Sequence, residues 1–148
     1  MGNYESDYEE YERQCELRQQ ENVRFLNWFE ESLESAKLKP QTIRRHLGNV
    51  DFYLNVFLLR EKPLNMEQGC FKADRFFGDF FIRKCMWSTP SSIKSNAASL
   101  KKFYKCRLEH GAIEQESYDY FIESIREGME YWTEDCEQYN SGGLNPFW

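Results

Sequence analysis

The 148-residue chain is short of the features that mark membrane, secreted, metal-bound or catalytic proteins. Its longest apolar run is Val56-Phe57-Leu58-Leu59, far below the ~20 residues a bilayer span takes, so no membrane partner is expected. Histidine is nearly missing. His46 and His110 are the two, and Cys106, four residues before His110, is a single neighbour where zinc takes about four ligands. No metal and no other cofactor is expected. The five cysteines (Cys15, Cys70, Cys85, Cys106 and Cys136) are odd in number and lack C-x-x-C spacing. The start, Met1-Gly2-Asn3-Tyr4-Glu5, has neither the basic nor the apolar region of a signal peptide. The expectation is a cytoplasmic protein with reduced thiols. Gly2 invites a myristoylation reading, which the acidic flank Asp7, Glu9 and Glu10 opposes. Asn-Gly and Asp-Gly turns and useful alternating runs are missing, which excludes hairpins. No Gly-rich phosphate loop, nucleophile elbow or paired His and nucleophile occurs, so the chain is not expected to be an enzyme.

What is plentiful is charge, unevenly placed. The net of −6 argues by itself against non-specific nucleic-acid binding. Residues 1–36 carry ten acidic and three basic side chains; residues 37–107 carry fifteen basic and five acidic, a local net of +10; residues 108–148 carry ten acidic and one basic. A basic middle lies between acidic ends.

Within that middle, two amphipathic segments open alike. Lys39-Pro40-Gln41-Thr42-Ile43-Arg44-Arg45 leads into Leu47, Val50, Leu54 and Phe57. Thr89-Pro90-Ser91-Ser92-Ile93-Lys94 leads into Ala97, Leu100, Phe103 and Tyr104. Each Pro suits the first helical position, where its missing N–H costs nothing. Apolar residues then recur at steps of three and four, with positive charge on the other side. The pattern predicts helices from Pro40 to about Leu59 and from Pro90 to about Glu109, the latter closed by His110-Gly111 in a left-handed cap. Before them, residues 4–36 form one long helix or two in series, with a junction at the polar gap Arg18–Asn22 and Asn22 as a cap. Between them, Met66 to about Cys85 reads as a helix with an aromatic face, its start interrupted by Gly69. A final helix begins near Glu114, and a tail follows from about residue 140. The fold class is all-α, a bundle of four to five main helices in two helix-turn-helix-like halves.

The string Phe25-Leu26-Asn27-Trp28-Phe29, then Lys39 to Leu47, then Asp51-Phe52-Tyr53-Leu54, resembles the N-terminal core-binding domain of tyrosine recombinases (phage integrases). So does Ser91 to Tyr104 followed by Glu109-His110-Gly111-Ala112-Ile113. Both helices open on a Thr/Ser-Ile-basic step, and the second leads into Leu-x-x-Phe-Tyr and Gly-x-Ile. The resemblance covers roughly residues 23–113. It implies a SAM-like helical domain that clamps duplex DNA in integration and recombination, with contacts at Lys39, Thr42, Arg44 and Arg45 and at Lys94, Ser95, Asn96, Lys101, Lys102 and Lys105. The family's catalytic Arg, Lys, His-x-x-Arg and Tyr have no counterpart after Ile113, and Asn145-Pro146 lies too far downstream to match the family's junction. The module would be non-catalytic, a stand-alone accessory of a mobile element or a fragment of a full recombinase.

The organisation expected is therefore an acidic Tyr/Glu-rich extension over 1–22, the core-binding-like module over 23–113, an acidic helix over 114–139 packed on it, and a tail over 140–148. The expected partner is double-stranded DNA, most basic residues facing phosphate. The bland alternative for the same face is solvated charge. Phe71, Phe76, Phe77, Phe80, Phe81, Phe103, Tyr104, Trp28, Trp87 and Trp132 are expected in packing. Residues 114–139 are expected to fold against the basic face or to mimic a duplex. The competing function is a protein-interaction domain of the same fold that has lost DNA binding, pairing with a protein or with itself through its acidic and aromatic helices.

Overall fold

A computed structural model describes residues 3–85 and 87–142. Gly2 and the tail beyond Gly142 lie outside the described residues. All regular structure is helical, and no strand occurs among the described residues, as the absence of hairpin turns and alternating runs requires. The chain divides into two compact units, Met1–Gly69 and Cys70–Trp148. The division falls inside 23–113 and assigns one basic segment to each unit.

In the first unit, α1 runs unbroken from Asn3 to Ser35, about 50 Å at 1.5 Å per residue. The polar gap is not a junction. Asn22 is buried, and its Nδ2 donates to Asn55 Oδ1 at 2.7 Å, while Asn55 Nδ2 donates to Asp51 Oδ1 at 2.7 Å. The buried amide of Asn22 is satisfied by a half-buried partner here instead of capping a helix start. Tyr11 adds a second tie, its hydroxyl donating to the carbonyls of Leu59 and Arg60. The helix ends as a Schellman motif. Lys37 takes φ 61°, its N–H reaches Glu34 O at 2.9 Å, and the Leu38 N–H reaches Leu33 O at 3.3 Å. Lys39, held extended before Pro40 (φ −67°, ψ 147°), starts α2, Pro40–Asp51. The chain continues into a π turn, Phe52–Phe57, closed by Leu58 N–H on Tyr53 O at 3.0 Å. Phe29, Leu33, Val50, Tyr53 and Leu54 form the core, and the Tyr53 hydroxyl is satisfied by Gly69 O at 2.6 Å.

The predicted helix from Met66 is instead a 3-10 turn, Glu67–Phe71, and a break at Lys72. In the second unit α3 (Ala73–Arg75), a π turn (Phe76–Phe80) and α4 (Phe81–Lys84) then run on as one helical stretch. After the turn at Trp87 come α5, Pro90–Glu109, and α6, Gln115–Gly142. Thr89 and Ser92 cap α5 reciprocally: Ser92 N–H donates to Thr89 Oγ1 at 3.0 Å and Thr89 N–H to Ser92 Oγ at 2.7 Å. Gly111, at φ 71°, closes it as the pattern predicts, with its N–H on Leu108 O and the Ala112 N–H on Arg107 O. α6 extends past the predicted end of the final helix, so residues 140–142 are helical rather than tail, and Asn140 Nδ2 donates to Ser88 O at 3.1 Å.

The core of this unit is aromatic. Phe76 lies 4.8 Å from Phe77 and 5.3 Å from Phe81 between ring centres, and Tyr104 lies 4.8 Å from Phe121. Trp132 stacks on Phe77 at 4.9 Å. Three aromatics expected inside are not: Phe71, Trp28 and Trp87 are exposed. Phe71 keeps one face on Tyr120 at 4.9 Å, which an aromatic half in water accommodates. All five cysteines are free thiols, four of them buried, and burial pushes the Cys85 thiol above its usual range.

Candidate nucleic-acid interface

α5 sorts its residues by side. Ile93, Ala97, Leu100, Phe103 and Tyr104 are buried, and Lys94, Ala98, Lys101, Lys102 and Lys105 are exposed. At 100° per residue the four lysines fall within about a 100° arc, over about 16 Å from Lys94 to Lys105. No carboxylate among the described residues lies within 4.0 Å of their ammonium groups or of Lys39, Arg44 and Arg45. Ala98 sits in the middle of the stripe and keeps the surface low there, so that a rod-like anion can reach the lysines along its length.

Not every predicted contact is on this surface. Asn96 is 6% exposed and its Nδ2 donates to Ser92 O at 2.9 Å, an inward bond to the preceding turn that withdraws the amide from any groove. Ser95 is half-buried, and its carbonyl accepts from Ser99 Oγ at 3.1 Å. Arg107, counted in the basic middle, is 0% exposed with Nη2 3.8 Å from Cys106 Sγ; it is a core residue and adds nothing to the face.

In the first unit, α2 buries Ile43, His46 and Val50 and exposes Arg44 and Arg45. Adjacent residues diverge by about 100° on a helix, so the two guanidinium groups occupy the two edges of the exposed arc. Lys39 is exposed at the N-cap and Thr42 is half-buried. Lys39 and Arg44 are free to take phosphate as point charge and fork respectively.

The acidic helix does not fold against the lysines. α6 packs on α5 within the second unit and buries Ser117, Phe121, Ile125, Trp132 and Cys136. Its acidic residues Glu116, Asp119, Glu123, Glu127, Glu130, Glu134 and Glu137 are all exposed. They recur at steps of three and four on the side opposite the buried one, over about 31 Å. Within that row Glu123 pairs with Arg126, which holds its carboxyl below the usual range, and Asp119 accepts from Gln115 Nε2 at 2.9 Å.

Among the described residues, no group of three or more His, Cys, Asp and Glu is arranged to hold a metal ion. His110 turns Nδ1 to its own helix, 2.8 Å from Cys106 O and 3.7 Å from Cys106 Sγ. No helix is long and apolar enough to cross a membrane among the described residues. No protein-family model, curated protein or solved structure matches the chain.

Proposed function

We propose that this chain is a non-catalytic, duplex-DNA-binding helical module that acts in DNA integration or recombination. The observation that carries the DNA reading is the α5 stripe: Lys94, Lys101, Lys102 and Lys105 share one exposed face without a carboxylate in reach. Unneutralised lysines on one side of a helix suit the phosphate backbone, which supplies most sequence-independent affinity through counterion release. Lys39, Arg44 and Arg45 are a separate set of exposed cations, carried by the first unit. The link to integration and recombination rests on the resemblance over residues 23–113.

The test is fluorescence anisotropy with a labelled duplex of random sequence, across a salt series. Four phosphate contacts give a slope of log K against log salt near −3.6. Between about 50 and 200 mM salt, the four lysines alone imply a loss of roughly a hundredfold. Replacing Lys94, Lys101, Lys102 and Lys105 with Ala is expected to flatten the slope by about 3.6 and to leave the circular dichroism unchanged. Absence of binding at the lowest salt, or an unaltered slope in the fourfold variant, rejects the reading.

A further inference from the structure

The second unit carries two long faces of opposite charge that do not meet within the chain. One is the lysine stripe of α5, the other the carboxylate row of α6, and both are exposed. Their spacings coincide. Lys94, Lys101 and Lys105 stand at steps of seven and four. Glu123, Glu130 and Glu134 repeat those steps in the same chain direction, and Glu123, Glu127 and Glu134 repeat them in reverse. Two helices laid side by side would therefore bring each of three ammonium groups to a carboxylate in either orientation, Glu123 exchanging its exposed pairing with Arg126 for a lysine. The reversed one also aligns the helix dipoles favourably.

We infer that these faces bind each other between copies: the α6 carboxylate row of one chain seats on the α5 lysine stripe of a second copy. Charge complementarity in register names the occupant. The lysines are uncompensated although their own unit holds the longest carboxylate row of the chain. Because two different faces of the chain meet, the contact is heterologous and association grows with concentration.

One consequence rests on the DNA reading above. The α6 row offers one negative charge per roughly 5 Å, whereas a duplex offers one per ~1.7 Å. α6 is thus a dilute substitute for DNA on the same lysines, and duplex displaces it. Self-association would keep the lysines covered until DNA is present.

Sedimentation velocity of the full chain tests this, at low salt and at about 0.5 M salt, where exposed charges are largely screened. The wild type is expected to rise above monomer mass with concentration at low salt and to return to monomer at high salt. A first variant carries Lys94→Glu, Lys101→Glu and Lys105→Glu; a second carries Glu127→Lys, Glu130→Lys and Glu134→Lys. All six positions are exposed, so both variants fold, which circular dichroism verifies. Each alone is expected to associate at least about tenfold more weakly, and an equimolar mixture of the two to regain association, since reversed faces complement each other. A wild type that stays monomeric at low salt, or variants that associate undiminished, overturns the inference. Adding a random-sequence duplex separates it from the DNA reading. Association without duplex binding upholds the inference and rejects the function; duplex binding by a strict monomer does the opposite.

Discussion

Gly128→Ala is expected to destabilise the second unit, although it puts a better helix former into the middle of α6. On propensity alone Ala gains about 1 kcal/mol over Gly. Against that, a Cβ at position 128 would lie 2.1 Å from Trp132 Cζ2, 2.3 Å from Cε2 and 2.6 Å from Cη2. Carbon atoms settle at about 3.5–4.0 Å, so the indole must retreat by more than about 1 Å. It has nowhere to go. Phe77 stacks on it at 4.9 Å with planes 25° apart. A Cβ on Gly78 would stand 3.2 Å from Trp132 Nε1, so the two glycines mark a slot cut to the ring. Overpacking costs about 1–3 kcal/mol, and expelling the indole approaches the ~3–5 kcal/mol of deleting it. The net expectation is a loss of about 1–3 kcal/mol, read by urea titration with far-UV circular dichroism. Gly48→Ala is the control, because nothing lies within 4 Å of a Cβ there; it should stabilise by about 1 kcal/mol. The decisive comparison is Gly128→Ala in a Trp132→Leu background, where the ring is gone and the substitution should change sign. If Gly128→Ala stabilises the wild type, or acts equally in both backgrounds, the slot is not what position 128 serves.

Lys37→Gly should stabilise the chain by about 1 kcal/mol, since a non-glycine residue at φ 61° bears a steric cost that glycine avoids; the check is the urea midpoint, and a fall in it would mean that the lysine side chain contributes more than its backbone costs. Asn22→Ala should cost about 1–2 kcal/mol because Asn55 Oδ1 loses its donor inside α1's packing. Asn22→Ala with Asn55→Ala should cost less than the two separate losses combined, and strict additivity would deny the pair.

How much of this was legible depended on whether the governing contact is local. Pro40, Pro90 and Gly111 act on their own backbone torsions, and the helix boundaries they predict are the ones observed. The sequence pattern makes Asn22 a cap at a junction because its partner, Asn55, is 33 residues away, and a local pattern counts a buried, satisfied amide as merely polar. The same limit applies to charge. Arg107 adds to a segment's net in sequence, yet it is fully buried in the fold. Asn96 sits at a helical position next to exposed lysines, but a bond to Ser92 O turns it inward. The four lysines of α5 were readable because their spacing alone places them on one side. Hydrophobicity alone puts Phe71, Trp28 and Trp87 in the interior, because it does not tell a core position from the rim of one, and all three are exposed.

The π turn at Phe76–Phe80, set between α3 and α4, acts as a phase shifter. A π turn holds one residue more than an α turn, and each added residue advances everything downstream by about 100°. An α-helix of single phase buries a stripe little more than about 100° wide. Phe80, Phe81 and Ile82 are consecutive and all buried, which such a stripe does not accommodate. Deleting one residue from Phe76–Phe80 would therefore keep a helix but point it the wrong way: hydrogen bonding would be kept, and Phe81 and Ile82 would rotate out of the core. In this stretch the length of the chain, counted to the single residue, carries as much instruction as the identity of its side chains.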